Sequence, residues 1–173
     1  MENTTYQQRL KELVQIIRTY GYRQLEGLTL DELTWRPEGT RARTIQSYLR
    51  HIVNAEVYWL KTLGDDTFDY LFKEASFTEI MDRYKQLEVH ITGLIDIAAK
   101  DEIIPRKPAF KEDNLQKPGT LAWMVERTSL HAIHHFAQVA YIRYSLEKPP
   151  SSESIKWGEV MDFFIMLKEI NPL

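Results

Sequence analysis

Residues 120–146 read TLAWMVERTSLHAIHHFAQVAYIRYSL, the longest helical pattern in the sequence. Thr120 can cap the start of this segment, because a threonine side chain accepts hydrogen bonds from backbone N–H groups of a first helical turn. Pro149 and Pro150 end the pattern, since proline donates no backbone hydrogen bond and clashes within a helix. The segment therefore predicts one uninterrupted helix.

Two histidines of this helix, His131 and His135, are four residues apart. Side chains at this spacing leave the same helix face one turn apart. Two imidazoles so arranged can reach one metal ion, at roughly 2.0–2.1 Å for zinc. His134 is turned away from that face and is not expected to converge with them. The alternative interpretation of the pair is two exposed surface side chains.

Apolar residues recur at helical spacing in three earlier segments, which predicts three more helices with one buried stripe each. These segments are residues 6–24, 44–64 and 76–98. The third begins with Ser76 and Glu79, a capping-box pair in which each side chain accepts a hydrogen bond from the other's backbone N–H.

The link between the third and fourth helices, residues 101–119, contains three prolines and is long for a simple bundle turn. It predicts a crossover between helices. Residues 155–167 add a short C-terminal helix that is apolar nearly all round, which favours a core and dimer contact. The predicted fold is an all-α four-helix bundle with a long crossover connection and a short C-terminal helix, in a single domain over residues 1–173.

A third metal ligand has to come from another helix, and His51 lies midway along the second one beside its apolar stripe. Tyr58 is seven residues after His51 and shares its face, so it is a candidate pocket residue. Glu56 is rotated away from that face, which favours a surface charge or a salt bridge. The chain contains neither H-E-x-x-H nor E-x-x-H, so protease-type zinc and di-iron chemistry are disfavoured and a mononuclear site is expected.

The composition excludes several other kinds of protein. There is no cysteine, which rules out disulfides, thiolate zinc sites and a cysteine nucleophile. The net charge of −3 lacks the basic surplus of a nucleic-acid binder. No secretory signal or membrane-spanning run is apparent, so we expect a cytoplasmic protein without a membrane or nucleic-acid partner.

With these residues in place, the chain resembles the DinB-like family of metal-dependent enzymes. Three segments carry the resemblance: LDELTWRP (30–37), TIQSYLRHIVNAE (44–56) and LHAIHHFAQ (130–138). It implies a four-helix bundle and a divalent metal, often zinc or nickel, on His51, His131 and His135. It also implies a homodimer, and relatives that include thiol S-transferases using bacillithiol or mycothiol and a thiol-dependent isomerase.

The sequence departs from the family pattern directly after the histidine pair. Members often have arginine and glycine where this chain has Phe136 and Ala137. This difference leaves the identity of the substrate undetermined, but it does not affect the expected metal site. Gln138 matches the pattern and lies three residues after His135. It is expected either to contact the site or a ring nitrogen, or to make an interior hydrogen bond.

The function that we expect from the sequence is a metal-dependent enzyme acting on a small molecule. Three neutral nitrogen ligands leave a coordination position open for a low-molecular-weight thiol or a water, which would attack an electrophilic small molecule. The sequence assigns no catalytic residue beyond the metal ligands. The alternative is a non-catalytic metal-binding bundle or a dimeric interaction bundle.

Overall fold

A computed structural model of the protein describes residues 2–39, 42–111 and 114–150. Its elements, in chain order, are α1 (Glu2–Leu25), α2 (Leu30–Thr34), α3 (Ile45–Thr62), α4 (Phe77–Ile97), β1 (Ala109–Lys111), β2 (Asn114–Lys117) and α5 (Leu121–Ser145). The predicted all-α four-helix bundle is confirmed. The predicted C-terminal helix over residues 155–167 lies outside the described residues.

The four long helices form a square in which α1 and α3 each pack against both α4 and α5. Since α4 and α5 occupy opposite corners, the chain between them has to cross the bundle, as the long connection predicts. Within this connection β1 and β2 pair as an antiparallel hairpin, for which the sequence shows no alternating pattern. In the described part of the chain, no helix combines the length and the apolarity needed to cross a membrane.

The predicted caps begin three of the long helices. The hydroxyl of Thr44 accepts a hydrogen bond from the backbone of Ser47 at 3.1 Å. Ser76 and Glu79 form the full capping box, and Thr120 caps α5. Because a cap satisfies backbone donors that the helix itself leaves free, these residues set where each helix begins.

Every long helix contributes side chains to the core, and α1 packs closely against two of them at Gly21. A Cβ at this position would lie 2.5 Å from Cζ of Phe136 on α5 and 2.8 Å from the hydroxyl oxygen of Tyr84 on α4. Both rings are fully buried, so neither has free space to move into. The absence of a side chain at Gly21 therefore allows α1 to seat against its two neighbours.

We expect Gly21→Ala to lower the free energy of unfolding by about 1–3 kcal/mol, the typical cost of an overpacked core. The control is Gly93→Ala in α4, where a Cβ would meet nothing within 4 Å. This change should raise stability by up to about 1 kcal/mol, because alanine favours a helix more than glycine does. Urea unfolding followed by circular dichroism measures both. Equal responses of the two variants would contradict close packing at Gly21.

Candidate metal centre

The seam between α3 and α5 positions the three histidines. His51 directly precedes the fully buried Ile52 on α3. On α5, His131 directly precedes the fully buried Ala132 and His135 directly precedes the fully buried Phe136. Because these apolar neighbours anchor each helix in the core, the imidazoles are held at the contact between the two helices. All three are partly exposed, which leaves the cluster open to solvent on one side.

The three rings meet through their Nε2 atoms. Nε2 of His131 lies 3.2 Å from Nε2 of His51 and 3.1 Å from Nε2 of His135, and one ring nitrogen from each residue lies within 4.8 Å of the others. Zinc with tetrahedral bonds of roughly 2.0–2.1 Å holds its nitrogen ligands about 3.3 Å apart. The spacing and the donor type therefore fit one divalent ion held by three imidazoles.

The surroundings keep these rings neutral. Burial, together with the neighbouring imidazoles, lowers the pKa of His131 to about 4. Burial also lowers the pKa of His51 and of His135, and the positive charge of Arg43 adds to both shifts. A histidine ligates a metal only in its deprotonated form, so near neutral pH the cluster offers three free nitrogen lone pairs.

Gln138 orients the ring of His135. Nδ1 of His135 donates a hydrogen bond to Oε1 of Gln138 at 2.6 Å, which places the ring proton on Nδ1 and leaves Nε2 as the lone-pair donor. The ring of Tyr48 lies against the same imidazole, with 5.5 Å between ring centroids. A hydrogen bond to the outer nitrogen of a ligating histidine fixes its tautomer and raises its basicity.

We expect Gln138→Ala to weaken metal binding by about 10–100-fold, the usual cost of losing such a partner. Gln138→Glu is the control, because its carboxylate keeps an acceptor for the same ring proton. Competition of each variant with a chromophoric chelator gives the affinities. If Gln138→Ala bound metal as tightly as the wild type, the hydrogen bond would have no role in ligation.

The other candidate residues are not part of this cluster. Tyr58 is 47% exposed, its ring contacts Trp59, and two helical turns (about 10.5 Å) separate it from His51. His134 is exposed, with its ring centroid 5.0 Å from that of His135. Nε2 of His90 lies 2.5 Å from a carboxylate oxygen of Asp65.

A depression of about 360 Å³ opens beside the histidines. It is lined by Ala42, Tyr48, His134, Ala137, Gln138, Tyr141 and Ile142. Its walls are largely apolar and aromatic, as is usual for small-molecule sites. Tyr48 is not among the residues that the sequence predicts at the site, although its position three residues before His51 places both on one side of α3.

Comparison with known proteins places these residues in a family. A family model described as the DinB superfamily matches residues 18–139, a range that contains all three histidines. No curated protein and no solved structure gave a significant match to the chain.

Proposed function

The chain belongs to the DinB superfamily, and on that premise we propose that it is a metal-dependent enzyme acting on a small molecule. His51, His131 and His135 are its proposed ligands for one divalent ion. Zinc and nickel are the proposed metals, because imidazole nitrogen suits both. The nucleophile is a low-molecular-weight thiol or a water. A homodimer is the proposed assembly.

The convergence of three Nε2 atoms carries this proposal. Three histidines are the protein ligands of many catalytic zinc sites, whereas structural sites usually have four. A divalent ion bound there would lower the pKa of a thiol or water in its open position and so supply a nucleophile at neutral pH. The chain has no cysteine, so a thiol nucleophile has to be a diffusible co-substrate.

The residues around the histidine cluster orient the metal ligand His135 and form a binding site for a substrate. Gln138 holds the Nδ1 proton of His135, and Tyr48 covers one face of that ring. The adjoining depression, with Tyr141 and Ile142 in its wall, has room for a small apolar electrophile. In the transfer step the thiol loses its proton to solvent, sulfur bonds to an electrophilic carbon, and the leaving group departs with the electrons of its broken bond.

Cobalt(II) titration of the metal-depleted protein tests the proposal. We expect one ion per chain, and a change in the visible spectrum when a small thiol is then added. With 1-chloro-2,4-dinitrobenzene as acceptor, the loaded protein should speed thioether formation and chloride release. His51→Ala is the control for both readings.

The two alternatives give different results. No tight binding of cobalt, zinc or nickel would refute the metal site and leave an interaction bundle. If an ion binds, but its spectrum does not change on addition of a thiol and its bound water does not exchange, the ion would have a structural role in linking two helices and no catalytic role.

A further inference from the structure

A second depression, of about 590 Å³, opens on the α3–α5 seam. It is lined by Trp59, Lys107, Pro108, Ala109, Trp123 and Arg127. Its chemistry differs from that of the depression beside Tyr48, because it combines two indole rings with two cationic side chains. The proposed function assigns no role to it.

The helices place this depression in line with the histidines. Trp59 is eight residues after His51 on α3, and Trp123 is eight residues before His131 on α5. Eight residues of helix rise by about 12 Å, and the two indole rings meet with 4.9 Å between centroids. α3 and α5 therefore run antiparallel, with the tryptophan pair about 12 Å along the seam from the histidines.

The depression beside Tyr48 lies at the other side of the histidines. Gln138 and Tyr141 in its wall follow His135 on α5, whereas Trp123 precedes His131. One seam thus carries an apolar depression, the histidine cluster and the tryptophan depression in that order. This order suits a reaction between two different small molecules, because each can bind in its own depression with its reacting atom at the histidines between them.

The tryptophan depression favours an organic anion. Lys107 and Arg127 are exposed at its wall, and among the described residues no carboxylate lines it. The two half-buried indoles offer an apolar surface on which the carbon skeleton of a ligand can pack. Arg127 also lies four residues before His131 on α5, so the two side chains leave the same side of the helix about one turn apart.

We propose that the Trp59–Trp123 depression binds the carboxylate-bearing end of the thiol co-substrate, with Lys107 and Arg127 pairing with the carboxylate. The thiol end then reaches the three histidines, about 12 Å away along the seam. The inference rests on the proposed function for this orientation. The binding of the anion itself depends only on the four side chains, and it can be measured without a metal.

Titration with reduced glutathione, followed by intrinsic tryptophan fluorescence, tests this inference on metal-depleted and on zinc-loaded protein. Glutathione dimethyl ester, with both carboxylates masked, is the matched ligand. We expect the double variant Lys107→Gln/Arg127→Gln to bind glutathione about tenfold more weakly, the loss of two exposed charge contacts. The control is Lys85→Gln/Lys100→Gln, which makes the same change in net charge at exposed positions outside the depression.

We also expect added salt to weaken the binding of glutathione but not that of its ester. Three outcomes would overturn the inference: no binding of glutathione by the wild type, equal affinity for glutathione and its ester, or equal losses in the two double variants. Charge-dependent glutathione binding by a protein that takes up no metal would instead refute the proposed function and leave the anion site standing. Metal uptake without glutathione binding would refute the inference alone.

Discussion

Replacement of His131 by alanine should abolish near-stoichiometric metal binding. Its Nε2 atom lies within 3.2 Å of both other ring nitrogens, so it is the member of the cluster that touches each partner. Loss of a group that hydrogen-bonds to a metal ligand lowers metal affinity by about 10–100-fold. Loss of a ligand itself should lower the affinity by more than that. Metal content per chain, measured on untagged protein after reconstitution, gives the result. His51→Ala and His135→Ala should behave in the same way.

His134→Ala is the matched control for this experiment. It removes a neighbouring imidazole from the same helix, but one that is exposed and outside the group of converging nitrogens. It should retain one metal ion per chain, and circular dichroism should show that all variants keep their helices. Full metal content in His131→Ala, or equal loss in His134→Ala, would contradict the three-histidine site.

Replacement of Glu56 by alanine should lower the free energy of unfolding by about 3–5 kcal/mol. Its carboxylate accepts a hydrogen bond from the guanidinium of Arg18 at 2.7 Å, and the two side chains are only 6% and 3% exposed. The guanidinium also lies 3.9 Å above the ring centre of Tyr84. Without Glu56 the buried guanidinium of Arg18 would lose its anion, which leaves an uncompensated charge with little access to solvent.

The double variant Arg18→Met/Glu56→Leu separates this explanation from a simple loss of packing. It removes both charges and keeps similar side-chain volumes, and such replacements of buried ion pairs are often neutral or stabilising. We therefore expect it to regain most of the stability that Glu56→Ala loses. Urea unfolding of the wild type and both variants measures this. A double variant as unstable as the single one would show that the charges themselves are not the cause.

The helix starts could be read from the sequence because they depend on local chemistry. Thr44 and Ser76 each satisfy backbone donors within their own first turn. Thr120 does the same, although its side chain also accepts a hydrogen bond from the backbone N–H of Arg106 in the crossover connection. The crossover was also predictable, since its length and prolines are local properties. The hairpin pairs Ala109 with Lys117 and Lys111 with Asn114, and this pairing leaves no alternating pattern in so short a segment.

The buried face of α3 was harder to predict. Helical spacing in residues 44–64 predicts one buried stripe, formed by Ile45, Tyr48, Ile52, Ala55, Trp59 and Leu63. The first three are buried, but Ala55 and Trp59 are only partly buried, and Val53 and Glu56 are buried outside the stripe. α3 packs between α4 and α5, so its buried face is wider than one stripe. The rotation of Glu56 away from the His51 face predicts a surface charge or a salt bridge. The structure shows a salt bridge, but a buried one, and its partner Arg18 is 38 residues away in the sequence.

The structure brings the three histidines together where the spacing of His131 and His135 and the family resemblance predict. Spacing accounts for that pair, which shares one helix. The convergence with His51, and the meeting of Trp59 with Trp123, depend on how two helices are aligned along the seam. A single sequence does not fix this alignment, because many sliding positions would bury a similar apolar area.

The histidine cluster joins parts of the chain that are 80 residues apart. An unfolded chain has no such cluster, so an ion that binds there would favour the folded state by mass action. At a free-ion concentration one hundred times its dissociation constant, the gain is about 2.7 kcal/mol. The melting temperature would then rise with the metal supply, and scarcity of the ion would shorten the lifetime of the folded protein in a cell that degrades unfolded chains.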